Sequence, residues 1–166
     1  MAKITLKGSP LNTISNIPKV GEVAPSFRLT KKDLSWVDSD TYRRKKVIMN
    51  IFPSIDTPVC ASSVKKFNEA ASKIGNVVIL CISMDLPFAS NRFCGAEGIE
   101  NVEMLSSFRG GGFGIDFGVK IVDGPLEGLF ARAVVVIDEK GVVRHSELVP
   151  EIAQEPDYDK ALKVLG

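Results

Sequence analysis

The chain has 166 residues, and its 21 lysines and arginines nearly balance 20 aspartates and glutamates, for a formal net charge of +1. This length suits one ordinary domain, and we expect a single domain over residues 1–166. A near-neutral chain has no strong field for polyanions, so nucleic acid and anionic membranes are not expected as partners. The sequence lacks a signal-peptide pattern and any apolar run that could span a bilayer, which predicts a soluble, cytoplasmic protein.

The cysteine content points away from a secreted scaffold. There are three cysteines, Cys60, Cys81 and Cys94. Disulfide-stabilised secreted domains usually carry a larger and even number, whereas a few cysteines in a cytoplasmic chain are often catalytic or redox-active. We therefore consider catalytic or redox use of these thiols.

The N-terminal part is predicted to be extended. Its extended segments are residues 4–7, 11–15, 26–30 and 35–38. The first two flank Gly-Ser-Pro at 8–10 and predict a hairpin, and the last two flank a polar turn at 31–33. Residues 46–52 are mostly apolar and are followed by Pro53, which predicts a central strand.

The middle of the chain alternates between helical and extended patterns. From Thr57 onward, apolar residues recur in steps of four and three on one helical face, and Gly75 ends the pattern. The next predicted elements are a strand over 77–84, a helix over 87–94 closed by Gly95, and a strand over 102–105. Strands that alternate with helices predict a parallel β-α-β core.

The C-terminal part completes the predicted fold. Residues 131–138 and 141–148 predict a second hairpin, and residues 156–165 predict a closing helix. The expected fold class is therefore α/β: a thioredoxin-like fold with a mixed central sheet flanked by helices and an N-terminal β-hairpin.

The stretch Pro-Ser-Ile-Asp-Thr-Pro-Val-Cys at 53–60 joins a predicted strand to a predicted helix. Thr57 suits the N-cap and Pro58 suits the first helical position. Cys60 then lies in the first turn, where unpaired N–H groups stabilise a thiolate. Because Cys60 also shares the apolar face of the helix, burial opposes the negative charge unless a fixed cation lies nearby. We expect an arginine partner; the alternative is a small buried cysteine without chemistry.

The pattern Pro-x-x-x-Thr-x-x-Cys after a buried strand resembles the active-site motif of the peroxiredoxins. Further motifs are similar to the thiol peroxidase branch and follow in the same order, at 85–98 around Cys94, at 123–129 and at 131–138. The resemblance covers essentially the whole chain.

The resemblance implies a thiol-dependent peroxidase that reduces hydrogen peroxide and organic hydroperoxides. It implies that Cys60 is the peroxidatic nucleophile and becomes a sulfenic acid, and that Cys94 resolves it as a Cys60–Cys94 disulfide. Thioredoxin would reopen this disulfide. By the same resemblance, Thr57 and Arg132 hold the thiolate and polarise the O–O bond, while Pro53 shields the site from water.

The resemblance further implies a homodimer and an apolar pocket for organic hydroperoxides that includes Phe52 and Phe88. No cofactor is expected. No metal is expected either, because the chain has no C-x-x-C motif and only one histidine.

Four other features are assigned no chemistry. Cys81 lies in an apolar strand and is interpreted as a core thiol, and His145 as a packed or solvated imidazole, which argues against a cysteine protease. The basic residues 43–46 indicate a solvated strand entrance. The glycines at 110–112 lack the Gly-Lys ending of a phosphate-binding loop and predict a flexible turn, with more glycine than expected in the family.

Two functions from other classes remain open. A general thiol-disulfide oxidoreductase usually carries a C-x-x-C motif, which this chain lacks. A non-enzymatic peroxide-sensing thiol switch would use the same disulfide to change a binding surface. Measured peroxide consumption distinguishes turnover from sensing.

Overall fold

The N-terminal hairpin is present as predicted. The computed structural model describes residues 1–110 and 112–165. Strands β1 (Lys3–Leu6) and β2 (Ser9–Asn12) pair in an antiparallel manner. The turn lies at residues 7–8 and not at 8–10, because Lys7 and Gly8 both adopt positive φ values, of 50° and 84°. Two such residues make a tight hairpin turn, which leaves Pro10 inside β2 opposite Thr5.

The main sheet is mixed, which confirms the predicted fold class. Its strands are β3 (Arg28–Thr30), β4 (Trp36–Asp38), β5 (Lys46–Ile51), β6 (Val77–Ser83), β7 (Glu103–Ser106), β8 (Ala133–Ile137) and β9 (Val143–Leu148). Among the described residues the sheet has seven strands in the order β4-β3-β7-β6-β5-β8-β9. The neighbours β5, β6 and β7 run parallel, as the β-α-β prediction requires, and the outer pairs run antiparallel.

Helices flank this sheet. They are α1 (Pro58–Lys73), α2 (Pro87–Glu97), α3 (Phe113–Asp116) and α4 (Tyr158–Lys163), with a 3-10 helix at Ser39–Tyr42. The predicted end of α2 at Gly95 is wrong, since the helix continues until Gly98 adopts the left-handed conformation at φ 66°. That conformation suits glycine and closes the helix. The 3-10 helix and α3 were not predicted, because four residues are too few to show a helical period.

The sheet buries both faces. Val47 and Met49 of β5 belong to one hydrophobic core, whereas Ile48, which lies between them, belongs to the core beneath α1. Cys60 and Phe67 of α1 are fully buried in that second core. Strands buried on both faces appear as nearly continuous apolar runs, which explains why they were recognisable in the sequence.

The parallel pairing determines where α1 and α2 begin. Because β5 and β6 run in the same direction, the loops that follow them lie at one edge of the sheet. Residues 52–57 form the first of these loops and lead into α1, and residues 84–86 form the second and lead into α2. The helices that carry Cys60 and Cys94 therefore start side by side.

Two surface features complete the description. Arg43, Arg44 and Lys45 are exposed where the chain enters β5, as predicted for a solvated strand entrance, whereas Lys46 is half-buried and donates to the Leu165 carbonyl at 3.0 Å. The predicted flexible turn at 110–112 includes Gly111, which lies outside the described residues; its neighbours Gly110 and Gly112 have φ values of 89° and 77°.

Within 1–110 and 112–165, no helix has both the length and the apolar character needed to cross a membrane.

Candidate active site

The start of α1 follows the predicted positions but not the predicted cap. Thr57 occupies the N-cap position and Pro58 the first helical position, so Cys60 is the third residue of the helix. The Thr57 side chain does not accept a hydrogen bond from the helix; its hydroxyl donates to the carbonyl of Ser54 at 3.1 Å. The tight turn over Ser54 to Thr57 brings that carbonyl within reach, since the Thr57 N–H donates to it as well.

The side chain of Arg132 contacts the sulfur of Cys60. Arg132 Nη2 lies 3.3 Å from Cys60 Sγ, although the two residues are 72 positions apart. Sheet pairing brings them together, because Ile51 near the end of β5 is opposite Ala133 at the start of β8. Cys60 is 0% exposed and Arg132 only 1%. The guanidinium and the sulfur are therefore in direct contact at a site closed to solvent.

The guanidinium is held in place by the C-terminal segment. Arg132 Nε donates to the carbonyl of Ile152 at 2.8 Å, and the Arg132 carbonyl accepts from the Val149 N–H at 2.9 Å. Nη1 is buried without a hydrogen-bond partner among the described residues. A buried donor without a partner costs stability, and such atoms often mark functional sites. Nη1 is therefore a candidate donor to a substrate oxygen.

Residues of α1 and of the C-terminal segment lie near this pair. Tyr158 packs edge-on against Phe67 with ring centroids 5.1 Å apart. The Tyr158 hydroxyl donates to Glu155 at 3.1 Å, and the Lys66 ammonium donates to the same carboxylate at 2.8 Å. The hydrogen bond from Lys66 holds the pKa of Glu155 below its usual range, and the charge of Arg132 contributes in the same direction. The C-terminal segment is thus tied to α1 close to the Cys60–Arg132 pair.

The other residues expected near the thiol have different environments. Pro53 is buried in the loop between β5 and α1. Phe52 is 0% exposed in the core beneath α1, whereas Phe88 is 65% exposed on α2. The two phenylalanines therefore do not share one apolar environment in this conformation.

Cys94 lies in the last turn of α2 and is 6% exposed. It belongs to the same hydrophobic core as Cys60, and its carbonyl accepts hydrogen bonds from the N–H groups of Gly98 and Ile99 at the helix end. Burial raises the pKa of Cys94, with the charge of Lys32 opposing the effect. A neutral Cys94 thiol is a poor competitor for peroxide. Both thiols are free in the structure.

A buried polar network lies beneath the first turn of α1. Ser63 donates to the carbonyl of Cys60 at 2.7 Å, and Asn50 of β5 donates to the Ser63 hydroxyl at 3.1 Å. The Asn50 amide also lies 3.7 Å from the sulfur of Cys81. Burial raises the pKa of Cys81 to about 12, and the residue is 0% exposed. Cys81 is a core thiol, as predicted.

One well-connected residue of this region was not singled out from the sequence. Asp85, between β6 and α2, accepts hydrogen bonds from the Ser54 hydroxyl at 2.8 Å and the Ile55 N–H at 2.7 Å. These partners are about 30 positions away in sequence. The only sequence signal was the presence of Asp85 in a motif around Cys94, which does not reveal a contact with the loop at residues 52–57 that leads to Cys60, here called the Cys60 loop.

His145 lies on β9, half-buried, with Nε2 unpartnered among the described residues. Burial lowers the pKa of His145 below its ordinary value of 6.5, against the opposing charges of Glu147 and Asp157. It takes no part in the contacts around Cys60 described above.

A pH prediction follows from this histidine. The folded state disfavours the protonated ring relative to the unfolded chain, so the free energy of unfolding should fall as the pH drops below about 6.5. The free energy of unfolding is expected to fall less between pH 7.5 and 5.5 in His145→Gln than in the unsubstituted protein. The difference between the two falls should be less than about 1 kcal/mol, because solvent screens a half-buried ring. Urea denaturation of both proteins at the two pH values tests this. An identical loss in the two proteins would contradict it.

Comparison with known proteins identifies the family of this chain. The Redoxin family profile matches residues 19–162. Thiol peroxidases from Mycobacterium bovis and Mycobacterium tuberculosis are 57% identical to this chain over 166 residues, which is 100% of this chain and 99% of each of theirs. The chain therefore belongs to the redoxin family. Within that family, this full-length similarity places it with the thiol peroxidases.

Solved structures support the same assignment of fold. A peroxiredoxin-like protein from Aquifex aeolicus superposes with a TM-score of 0.93 at 40% identity, covering 99% of this chain and 96% of that one. A thiol peroxidase from Chromobacterium violaceum superposes with a TM-score of 0.90 at 22% identity, covering 98% and 94%. At that identity the second structure supports only the fold, which is thioredoxin-like, as predicted.

Proposed function

We propose that this protein is a thiol-dependent peroxidase in which Cys60 reduces the hydroperoxide and Cys94 resolves the oxidised Cys60. The observation that carries the proposal is the 3.3 Å contact between Arg132 Nη2 and Cys60 Sγ inside a buried site. Full-length similarity to thiol peroxidases supports the reaction class. Hydrogen peroxide and organic hydroperoxides are the proposed substrates.

The first step is a displacement at oxygen. The Cys60 thiolate attacks the terminal oxygen of the hydroperoxide, forming an S–O bond while the O–O bond breaks. The leaving alkoxide or hydroxide takes a proton from water and departs as alcohol or water. Sulfur is oxidised to sulfenic acid and the peroxide is reduced by two electrons.

The surrounding groups suit this charge movement. Arg132 Nη2 stabilises the negative charge on sulfur, and Nη1 is proposed to donate to the peroxide oxygens as charge develops on the leaving oxygen. The Thr57 hydroxyl proton is committed to the Ser54 carbonyl. Its oxygen lone pairs are therefore proposed to accept the O–H of the incoming peroxide, which orients the terminal oxygen toward Cys60. Buried Pro53 is proposed to keep bulk water away from the pair.

The second step joins the two cysteines. The Cys94 thiol attacks the Cys60 sulfenic acid, a disulfide forms and water leaves. A disulfide requires Cα atoms within about 7 Å, and we propose that α2 unwinds from its C-terminal end back beyond Arg92 to bring Cys94 close. Two observations support this: α2 buries only Pro87, Ser90 and Cys94, and it contains Gly95. Segments with few buried contacts open at low cost.

A dithiol reductant completes the cycle. We propose thioredoxin, whose two thiols reduce the disulfide and are themselves oxidised to a disulfide. We also propose that residues 1–166 work as one domain, that two copies form a homodimer and that the protein is cytoplasmic. The N-terminal hairpin supports a single domain, because the Thr5 N–H donates to the Pro150 carbonyl at 2.7 Å. A cytoplasmic location agrees with a cycle that needs a steady supply of reduced thioredoxin.

Steady-state turnover tests the proposed function. The full chain is mixed with thioredoxin, thioredoxin reductase and NADPH, and NADPH oxidation is followed after hydrogen peroxide or cumene hydroperoxide is added. The proposal expects many turnovers per protein molecule with both peroxides. A single stoichiometric oxidation of Cys60 without turnover, with either thioredoxin or dithiothreitol as reductant, would instead identify a thiol switch. Insulin reduction at a rate comparable with peroxide reduction would identify a general oxidoreductase.

A further inference from the structure

We propose that Asp85 is a positioning residue that holds the Cys60 loop in its peroxide-reactive conformation and links that conformation to the folded state of α2. The inference rests on the proposed peroxidase function and assigns a residue that does not itself touch the reacting atoms.

The Asp85 carboxylate accepts hydrogen bonds from the loop before α1 and from the last residue of β6. Oδ1 accepts from the Ser54 hydroxyl at 2.8 Å. Oδ2 accepts from the Ile55 N–H and from the Ser83 hydroxyl, each at 2.7 Å. Such charge-assisted hydrogen bonds are roughly twice as strong as neutral ones. Among the described residues Asp85 forms no ion pair, so the negative charge of this half-buried side chain is stabilised by these three hydrogen-bond donors.

The donors on one side belong to the turn that starts α1. Ser54, held by Asp85, in turn accepts at its side chain from the Asp56 N–H at 3.2 Å. The Ser54 carbonyl accepts both the N–H and the hydroxyl of Thr57, each at 3.1 Å. Thr57 is the N-cap residue, three positions before Cys60. The carboxylate therefore holds Ser54, and Ser54 in turn holds Thr57 at the start of the helix that carries Cys60.

The other side of Asp85 belongs to the segment that starts α2. Asp85 lies two positions before Pro87, the first residue of that helix, and its carbonyl accepts from the Ser106 hydroxyl of β7. An exposed ion pair joins the same two segments, since Arg92 of α2 lies 2.8 Å from Asp56. Residues of the Cys60 loop are therefore bound to α2 and to the segment before it.

The consequence is a link between the two steps of the cycle. While α2 is folded, Asp85 fixes the Ser54–Thr57 turn and hence the orientation of Thr57 toward an incoming peroxide. When α2 unwinds for disulfide formation, the Asp56–Arg92 pair opens and the constraint on Asp85 weakens. The reactive loop is thus held during peroxide attack and released during resolution. Asp85 favours the first step and gives no advantage in the second.

Variants at Asp85 separate the two steps. Asp85→Ala removes all three hydrogen bonds. Asp85→Asn keeps an oxygen for the Ile55 N–H, while the Ser54 hydroxyl can rotate to accept from the amide. The rate of Cys60 sulfenic acid formation is measured by quenched flow in a Cys94→Ser background, and disulfide formation is measured with Cys94 present. We expect the first rate to fall about tenfold in Asp85→Ala and about threefold in Asp85→Asn, because small displacements of reacting groups cost large factors. Disulfide formation from the sulfenic acid is expected not to slow in either variant.

Two further variants serve as checks. Asp123→Ala removes an aspartate that accepts two hydrogen bonds from Asn12, at 2.8 and 2.7 Å, and is expected to leave both rates unchanged. Ser54→Ala removes one donor of the network; combined with Asp85→Ala it should be no slower than Asp85→Ala alone, because the two residues act in one chain. Ser54→Ala also tests the network if Asp85→Ala does not fold.

Three outcomes would overturn the inference. The first is a rate of sulfenic acid formation in Asp85→Ala and Asp85→Asn that stays within twofold of the rate with Asp85 intact. The second is an equal fall in the rates of sulfenic acid formation and disulfide formation, as expected for a general loss of structure. The third is that the effects of Ser54→Ala and Asp85→Ala on the rate of sulfenic acid formation are additive. The chain with Asp85 intact is measured alongside. If it fails to oxidise Cys60 with peroxide, the proposed function itself fails; if it reacts and the Asp85 variants match it, only the role of Asp85 fails.

Discussion

Replacing Cys60 by serine is expected to abolish peroxide reduction. A serine hydroxyl is not ionised near neutral pH and is a much weaker nucleophile toward oxygen than a thiolate, even with Arg132 3.3 Å from the position of the sulfur. The loss of kcat/KM for hydrogen peroxide should be on the order of 10⁴-fold or more, as for the removal of other enzymatic nucleophiles. Thioredoxin-coupled NADPH oxidation measures it.

Cys81 provides the matched control for this change. Cys81 is equally buried but lies on β6, and burial raises its pKa to about 12. Cys81→Ala should keep peroxide reduction within about twofold of the unsubstituted protein, while stability falls through the small cavity that it leaves. Retained activity in Cys60→Ser, or its loss in a folded Cys81→Ala protein, would show that the nucleophile has been assigned wrongly.

Removal of the guanidinium at Arg132 is expected to have the second-largest effect. Arg132→Met keeps much of the length and volume but loses the charge beside Cys60 and both Nη donors. The kcat/KM for peroxide should fall about 10²–10³-fold, the usual cost of a lost donor to a developing negative charge. Peroxide-dependent turnover at constant reductant concentration measures this, and urea denaturation checks that the variant is folded.

Arg132→Lys separates charge from geometry. A lysine keeps the positive charge but has no planar fork that can reach the Ile152 carbonyl through one nitrogen and Cys60 through another. Its activity should lie between that of the unsubstituted protein and that of Arg132→Met. A folded Arg132→Met protein that reacts with peroxide at the normal rate would exclude Arg132 from the reaction.

Much of the fold was accessible from the sequence because its elements have strong local signals. The apolar run at 46–52 and the helical period that begins after Thr57 predicted β5 and α1 closely. The local signal was insufficient at the end of α2, where two glycines could each have closed the helix. Gly95 was assigned to the end of α2, but Gly98 adopts the left-handed conformation there, and only the path of the chain decides between them.

The site was accessible only in part. The position of Cys60 in the first turn of α1 follows from a capping residue and a proline, which are local features. The contact with Arg132 spans 72 positions and depends on the pairing of β5 with β8, so the residues alone predicted an arginine partner without indicating which arginine. Arg132 was named only through the resemblance to peroxiredoxins.

The hydrogen bonds of Thr57 and Asp85 could not be predicted in the same way. A threonine at an N-cap position usually accepts from the helix, but here the turn offers the Ser54 carbonyl at 3.1 Å and the hydroxyl donates to it. Asp85 meets Ser54 and Ile55 only because parallel strands place two loops at one sheet edge. The contacts of Asp85 follow from tertiary structure and leave no local pattern.

The most direct test of the account is a map of the thiols after a single oxidation. One equivalent of hydrogen peroxide is added to the fully reduced protein, free thiols are blocked, and peptide mass spectrometry locates disulfides, with Cys94→Ser treated in parallel. The account predicts a Cys60–Cys94 disulfide with Cys81 still free, and a variant that stops at Cys60 sulfenic acid or its overoxidised forms. A Cys60 that stays reduced, or a disulfide between Cys60 and Cys81, would contradict it.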